Sequence, residues 1–305
     1  MLDFIVWVLA GIAGSFVDVV QALLHPAAWL SWIDGFDSPE DKKALMRFVY
    51  YGASKELFFV VLTAILIVTG IGMWRRPFLW RVLGVLEGIG NTVGRTAAWA
   101  GLVMVLQQIM IVFLQRIFRV SEISIGPFGY VFTKDLSWYA EELKFYNAIV
   151  VTLCLAYTFI QGGHVRVDLV YAGVGYRAKK AIDMFGSLFF MLPMATLLWL
   201  YSWFFLWRHL IVPNPSASDA LDKLLLKSRA LRWNVETIGF SPNGFNAYFL
   251  FKVLLVLMVA MIFLQGLAFF YRSWLEFVEG PEAEGRNLDH DRNEDPAAEM
   301  PGEGL

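Results

Sequence analysis

The side chains best suited to chemistry are concentrated in one short segment, residues 162–168, which reads GGHVRVD. His164, Arg166 and Asp168 present an imidazole, a guanidinium and a carboxylate within five positions. His164 and Asp168 are four residues apart and could share a metal ion, but no third ligand is nearby, and protein zinc sites use at least three. The guanidinium and the carboxylate can instead pair with each other, with lipid phosphates or with a neighbouring subunit. The segment therefore favours recognition of charged groups over metal chemistry.

The rest of the chain offers little for catalysis or redox work. A membrane b-haem needs an axial histidine from each of two facing helices, and the four histidines lie in a loop, at helix ends or near the C-terminus: His25, His164, His209 and His290. The single cysteine, Cys154, excludes an intrachain disulfide and a cysteine-based metal site. No Ser/His/Asp arrangement or phosphate-binding glycine loop is recognisable. We therefore expect no enzyme activity, no nucleic-acid binding, and no catalytic residue, metal or cofactor in this chain.

The segments that position these residues have a composition typical of a lipid environment. The chain has 305 residues, of which 58% are hydrophobic and 17% are charged, whereas soluble domains carry about 25% charged residues. Five stretches of 18 to 24 residues contain no Asp, Glu, Lys or Arg: 57–74, 96–115, 145–163, 184–207 and 253–271. About 20 apolar residues cross a hydrocarbon core as a helix, and lipid requires the backbone to satisfy its own hydrogen bonds. The sequence predicts an all-α integral membrane protein.

A sixth apolar stretch, residues 4–24, is interrupted by Asp18. It is predicted to span the membrane as well, and the alternative is an amphipathic helix that lies on the bilayer surface. If all six stretches cross, both termini lie on one side, together with two connections, 75–95 and 164–183. These connections are rich in basic residues, so the positive-inside rule places them and the termini in the cytoplasm.

Amphipathic segments are predicted outside the spans. Residues 78–90 place four apolar side chains on one helical face, which suits a helix at the inner membrane interface: Leu79, Val82, Leu83 and Leu86. Residues 219–232 repeat three leucines in the same way and predict an amphipathic helix on the outer side: Leu221, Leu224 and Leu225. The Gly84/Gly88 and Gly90/Gly94 spacings could let helices approach closely, although they lie outside an apolar 20-residue run.

Polar and aromatic residues inside the spans have structural interpretations. The amides are predicted to form interhelical hydrogen bonds in preference to a solute path: Gln107, Gln108, Asn147 and Gln265. Trp199, Trp203 and Trp207 recur every four residues near the outer end of a span and are interpreted as interfacial aromatics. Pro193 could kink its helix.

The order of motifs in residues 130–171 resembles that of a known family. A YVF segment is followed by Trp138 and the paired Glu141 and Glu142, then by a span, and then by Gly162, Gly163, His164, Arg166 and Asp168. This order is similar to the small membrane subunit of tripartite ATP-independent periplasmic (TRAP) transporters, the DctQ type. Residues 233–273 also resemble the last loop and span of that family, so the resemblance covers roughly 96–273. The chain departs from the pattern at Gly129, where the family usually has an arginine, and it adds residues 1–95 and a long loop at 208–252.

The resemblance implies a fold and a division of labour. The domains are then residues 1–95, an N-terminal extension with one or two transmembrane helices and an interfacial helix; 96–275, a DctQ-like four-helix membrane domain; and 276–305, an acidic tail whose composition predicts disorder. It implies an accessory subunit of a secondary transporter for organic acids, in the bacterial inner membrane. Its partners would be a large permease subunit, a periplasmic substrate-binding protein and membrane lipids, with sodium as the usual coupling ion. The outer loops at 25–56, 116–144 and 208–252 are expected to help dock the binding protein.

The signature residues have local interpretations as well. Gly162 and Gly163 are expected to end a helix, and Arg166 and Asp168 then lie at headgroup level, either at a subunit interface or in a plain cytoplasmic turn. Trp138, Glu141 and Glu142 follow Ser137, a candidate N-cap, and could also contact a partner. The alternative functions are a membrane anchor for a redox or other multi-subunit complex, and a channel or transporter that works alone.

Overall fold

The structure is a computed structural model that describes residues 2–36, 38–125, 132–161, 173–237 and 244–286. In this part of the chain six helical segments are long and apolar enough to cross a membrane: Asp3–Leu24, Lys55–Trp74, Arg76–Ile117, Leu136–Ile160, Tyr176–Arg208 and Phe249–Glu279. They contain four of the five uncharged stretches in full, the stretch 145–163 up to Ile160, and the weaker sixth one. The prediction of an all-α membrane protein is confirmed.

The helices are labelled in chain order. They are α1 (Leu2–Leu24), α2 (Ala27–Leu30), α3 (Pro39–Tyr51), α4 (Lys55–Trp74), α5 (Arg76–Val112), α6 (Leu136–Ile160), α7 (Tyr176–Gly186), α8 (Leu192–Arg208), α9 (Leu221–Lys227) and α10 (Phe249–Glu279). Two short antiparallel strand pairs accompany them, β1 (Glu122–Ile125) with β2 (Phe132–Asp135), and β3 (Ile211–Val212) with β4 (Arg232–Trp233).

The weakest predicted span, α1, is a continuous helix through Asp18. It packs on α4, where Gly11 leaves room for the ring of Phe59 and the hydroxyl of Ser15 donates to that of Thr63 at 2.9 Å. A Cβ atom at Gly11 would lie 2.5 Å from that ring. The small residues therefore set how closely α1 approaches α4.

The second membrane helix is longer than the sequence predicts. Residues 78–90 are not a separate interfacial helix, because α5 runs without a break from Arg76 and continues through a π-helical turn, Phe113–Ile117. Leu79 and Leu83 are about 1% exposed, and they pack against Tyr271 and Leu275 of α10. The predicted amphipathic face is correct, but it covers a neighbouring helix. The predicted connection at 75–95 reduces to a sharp turn at Arg75.

The segment from α7 to α8 is also continuous, through a π-helical turn at Ser187–Met191. Pro193 follows this turn. Proline lacks an N–H donor, and its ring clashes with the carbonyl group four residues earlier in a regular α-helix. The wider turn before Pro193 relieves that conflict, as π-turns inside helices can.

Of the two glycine pairs in α5, one is a packing contact. Gly94 lies against the side chain of Tyr157 in α6, and Gly90 lies against Gln265 of α10 and Ile160 of α6. Gly84 and Gly88 face open space. The pair at 90 and 94 therefore allows α5, α6 and α10 to approach one another.

The N-terminal extension and the loop after α8 fold together into one unit, which we call the cap: residues 27–51 with residues 209–236. The cap begins α3 with a capping box, in which Ser38 and Asp41 bond each other's backbone N–H at 3.1 Å. Its core joins α3, α8 and α9 and includes fully buried side chains from both segments: Leu45, Met46, Val49, Ile211 and Leu224. The amphipathic helix predicted within residues 219–232 is present as α9, with Leu224 on its buried face. Its place on the outer side stays a prediction.

The tryptophan stripe of α8 belongs to this core, which corrects its interpretation as interfacial aromatics. Trp203 Nε1 donates to the carbonyl oxygen of Val49 at 2.9 Å, and Trp199 Nε1 donates to that of Gly52 at 2.8 Å. Trp203 and Trp207 are buried. Their spacing is the same in both interpretations, but the N-terminal extension, and not the bilayer interface, covers them.

A buried carboxylate holds the start of α9. The side chain of Asp219 is 2% exposed and pairs with Lys223 at 2.7 Å and with Lys227 at 2.5 Å. Hydrogen bonds from Lys223 and then Lys227 lower the pKa of Asp219 below its usual value. A carboxyl group whose pKa is lower in the folded state stabilises that state at neutral pH.

We expect Asp219→Asn to destabilise the cap by about 1–3 kcal/mol at pH 7 because it removes two charge-assisted hydrogen bonds. The folded pKa is depressed, so the contribution is present above the unfolded pKa of about 4 and is lost as pH falls through the folded value. Thermal unfolding of wild type and variant should differ at pH 7 and converge toward pH 3. Asp222→Asn, at an exposed neighbour, is the control and should change little at either pH; an equal shift would contradict the assignment.

The C-terminal end of α10 continues past the predicted boundary of the tail. Glu276 lies in α10, and Pro281–Ala283 form a 3₁₀ turn. Lys180 of α7 pairs with Glu276 at 2.6 Å and with Glu284 at 3.2 Å. These ion pairs order residues that composition alone assigns to a disordered tail. Residues 287–305 lie outside the described part, and the division into three domains stays a prediction.

Candidate functional site at the start of α6

The site predicted from Trp138, Glu141 and Glu142 lies where α6 meets α5 and the segment that leads into α10. The β1–β2 hairpin directly precedes α6. The N-cap of α6 is Asp135 and not the predicted Ser137. The Asp135 side chain forms no capping hydrogen bond. The two glutamates therefore lie one to two turns inside the helix, where tertiary contacts decide their roles.

Glu142 fastens α6 to α5. Its carboxylate accepts a hydrogen bond from Gln107 Nε2 at 3.0 Å and another from the hydroxyl of Tyr146 at 3.1 Å. Gln107 also donates to the carbonyl oxygen of Tyr139 at 3.0 Å. The prediction that Gln107 serves interhelical hydrogen bonding is confirmed. Gln265 does the same for α10, where its Nε2 donates to the carbonyl oxygen of Leu86 at 3.0 Å.

Glu141 fastens α6 to the approach of α10. Its carboxylate accepts the backbone N–H of Phe245 at 3.0 Å, and Gly244 lies directly against it. Because any Cβ atom at position 244 would collide with this carboxylate, the close approach requires glycine there. Burial, followed by the charge of Glu141, raises the pKa of the neighbouring Tyr248.

Trp138 completes the junction by aromatic contact. Its ring centroid lies 5.4 Å from that of Phe245, and the ammonium group of Lys134 lies 6.0 Å from it. The indole Nε1 is buried and has no hydrogen-bond partner among the described residues. Thus Trp138, Glu141 and Glu142 are brought together as an internal junction, and their contact with a partner subunit stays a prediction.

The second half of the predicted site lies outside the described residues: Gly162, Gly163, His164, Arg166 and Asp168. Helix α6 ends at Ile160 and its C-cap is Gln161. This end agrees in position with the glycine pair that follows. The proposed clamp at headgroup level stays a prediction.

A charge network that the sequence reading missed ties α5, α7 and α10 together. The guanidinium of Arg272 donates two hydrogen bonds to the carboxylate of Glu87, each at 2.6 Å. It also pairs with Glu276 at 3.5 Å, and Glu276 pairs with Lys180 at 2.6 Å. All four side chains are at least 88% buried. We call Glu87, Lys180, Arg272 and Glu276 the charge network.

Trp80 supports the network from one side. The guanidinium groups of Arg272 and Arg286 lie 5.9 and 5.7 Å from its ring centroid, and its Nε1 donates to Glu279 at 3.1 Å. Two sequence signals could have found this network. Glu87 is the only acid in residues 75–95, and Arg272 and Glu276 are one helical turn apart.

Neither region has the ligand set of a metal centre. Among the described residues no group of three or more His, Cys, Asp or Glu side chains could hold an ion. The carboxylates of Glu87, Glu141, Glu142 and Glu276 are engaged in the bonds described above. The junction at the start of α6 and the charge network can therefore hold helices against one another near their ends.

Comparison with known proteins gives one family match. Residues 129–221 match the family model for the DctQ component of tripartite ATP-independent periplasmic transporters. The match includes the junction at the start of α6 and the GGHVRVD segment, and it is narrower than the resemblance over 96–273. No curated protein and no solved structure matches the chain significantly. The match therefore confirms, over residues 129–221, the DctQ-type resemblance that the motifs predicted.

Proposed function

We propose that this small permease braces a large permease subunit that carries the solute and the coupling ion, and that both work with a periplasmic substrate-binding protein. The DctQ match is the observation that supports this proposal most directly, because the family works in a three-part transporter whose DctQ component is not an enzyme. We further propose an organic acid as the substrate and sodium as the coupling ion. Both are properties of the assembled transporter, not of residues described in this chain.

The tertiary contacts support a bracing role. Each uncharged stretch lies within one continuous helical segment over the described residues. The carboxylates of Glu87, Glu142 and Glu276 are bound to side chains of this same chain. Ionisable groups that carry ions through a membrane face a wet cavity or a relay, whereas these groups hold helices together.

The orientation of the subunit in the inner membrane is part of the proposal. With six spans both termini lie on one side, which is also the side of the α4–α5 turn and the start of α7. Exposed arginines mark these two places: Arg75, Arg76, Arg81 and Arg177. The positive-inside rule therefore puts the termini in the cytoplasm and the cap in the periplasm.

Affinity purification of the tagged chain from native membranes tests the assembly. We expect a large multi-span membrane protein and a soluble periplasmic protein to be recovered with it. Recovery of a haem protein complex would instead favour a redox anchor. In liposomes the purified chain alone should move no organic acid, and flux through it would contradict the accessory role.

The signature segment provides a sharper test of subunit contact. We expect the double variant Arg166→Ala/Asp168→Ala to lower recovery of the large permease at least fivefold, since it removes two charged groups that can pair with a neighbouring subunit. Arg177→Ala, an exposed arginine at the start of α7, is the matched control and should leave recovery unchanged. Equal recovery of the large permease with the wild type, the double variant and the control would mean that the segment is a plain cytoplasmic turn.

A further inference from the structure

The cap exposes two large apolar and two basic side chains within residues 226–233. They lie on α9, on the turn after it and on β4, and we call these four residues the patch: Leu226, Arg229, Arg232 and Trp233. Leu226 is 62% exposed and Trp233 is 44% exposed. Arg229 and Arg232 are also exposed. Tryptophan and arginine are the residue types most enriched at the energetic centres of protein interfaces.

The patch stands on a rigid support. Leu224 and Leu231, beside it in sequence, are buried in the cap core at 0% and 3% exposure. Strand β4 pairs with β3, which directly follows α8. The ring of Trp233 lies 5.3 Å from that of Phe36, which belongs to the N-terminal extension. A surface fixed in this way loses little conformational entropy when a partner binds.

The charges of this part of the cap are unequally compensated. Lys223 and Lys227 neutralise Asp219, and Lys252 pairs with Glu236. The structure gives no acidic partner to Arg229 or Arg232 in the described part of the chain. The patch therefore presents two arginines whose charges are available to a partner.

We propose that the patch is a docking site for an acidic surface of the transporter's soluble periplasmic component. This inference rests on the proposed function and on the proposed orientation, which places the cap in the periplasm. Arginine fits carboxylates by paired hydrogen bonds, and opposite charges accelerate encounter between a membrane subunit and a soluble protein. The extension and the loop after α8 thus build a recognition surface together, most of it outside the segment that matches the family.

A lipid surface is the competing occupant, because arginine and tryptophan also anchor proteins at bilayer interfaces. The cap carries exposed acids as well, namely Asp34, Glu40 and Asp222. These acids disfavour adsorption of the cap to anionic headgroups, whereas a protein partner can match both signs of charge. The observations therefore favour a protein.

The test measures binding of the purified periplasmic component to the assembled transporter in nanodiscs of neutral lipid. We expect the double variant Arg229→Glu/Arg232→Glu to weaken binding at least tenfold, with a weaker dependence of affinity on salt than wild type. Lys43→Glu makes the same kind of charge change on α3, outside the patch, and should alter binding less than twofold. Unchanged binding of the double variant would overturn the proposal.

Two further measurements separate this proposal from its premises. Recovery of the large permease with each variant reports assembly, so a loss of binding with normal recovery concerns docking alone. If the double variant does not assemble, Arg229→Ala carries the same test, because it removes a charge without adding one. An effect seen only in nanodiscs that contain anionic lipid would assign the patch to the membrane and overturn the proposal. Failure of a membrane-impermeant thiol reagent to label the Arg229→Cys variant in spheroplasts would also overturn the proposal.

Discussion

Replacement of Arg272 by methionine is expected to lower the free energy of unfolding by about 3–5 kcal/mol, the usual cost of leaving buried charges without their partner. The side chains of Arg272 and Glu87 are only 11% and 8% exposed, and two 2.6 Å hydrogen bonds join them. Without the guanidinium, Glu87 loses this partner, and the partners of Glu276 within the described part of the chain are reduced to Lys180 and the N–H of Gly285. Chemical unfolding in detergent micelles, followed by tryptophan fluorescence, measures the loss.

A double-mutant cycle separates the ion pair from simple packing. Glu87→Gln in the Arg272→Met background removes the stranded charge, so it should recover part of the lost stability. Arg286→Met is the control, since Arg286 also lies over Trp80 and pairs with Glu279, but its side chain is 60% exposed. It should cost less than about 1 kcal/mol. If Arg272→Met also lowered the free energy of unfolding by less than about 1 kcal/mol, the charge network would contribute little to stability.

Replacement of Gly94 by leucine is expected to separate α5 from α6. Gly94 lies directly under the side chain of Tyr157, and its carbonyl oxygen accepts the thiol of Cys154 at 3.4 Å. A larger side chain must push the two helices apart, and overpacking of this kind costs about 1–3 kcal/mol or more. Since Gly90 lies on the same face against α10, Gly90→Leu should have an effect of the same sign. The unfolding measurement used for Arg272 applies here.

Gly84 provides the matched control in the same helix. A Cβ atom at Gly84 meets nothing within 4 Å, so Gly84→Leu gains helix propensity of up to about 1 kcal/mol without a clash. Gly84→Leu and Gly94→Leu are the same chemical change, and they should alter the free energy of unfolding in opposite directions. Destabilisation by both would mean that backbone flexibility of α5, and not close packing at Gly94, is what the glycines provide.

Much of the membrane architecture could be predicted from the sequence. Five uncharged stretches gave five helical segments, because hydrocarbon thickness fixes the length and the polarity of any span. The DctQ resemblance was carried by the order of a few polar motifs, and the family match over residues 129–221 confirms it. Gln107 and Gln265 were assigned correctly to interhelical bonds, since an amide inside a span needs a hydrogen-bond partner.

The errors share one physical origin. A helical period of apolar residues shows which face is buried but not what covers it. Leu79 and Leu83 therefore fit a membrane surface as well as they fit α10, and Trp203 fits a bilayer interface as well as it fits α3. Ser137 looked like an N-cap because capping is local, but the β1–β2 hairpin starts α6 two residues earlier.

The sequence by itself determined that this chain crosses a membrane and which family motif it carries, because both depend on composition and order over short distances. Only the tertiary structure decided how its additions are used. It joined the N-terminal extension to the loop after α8 as one cap, and it paired Glu87 with Arg272, 185 residues away. Contacts between segments so distant leave no periodic trace in the sequence, since each partner satisfies only its own local helix.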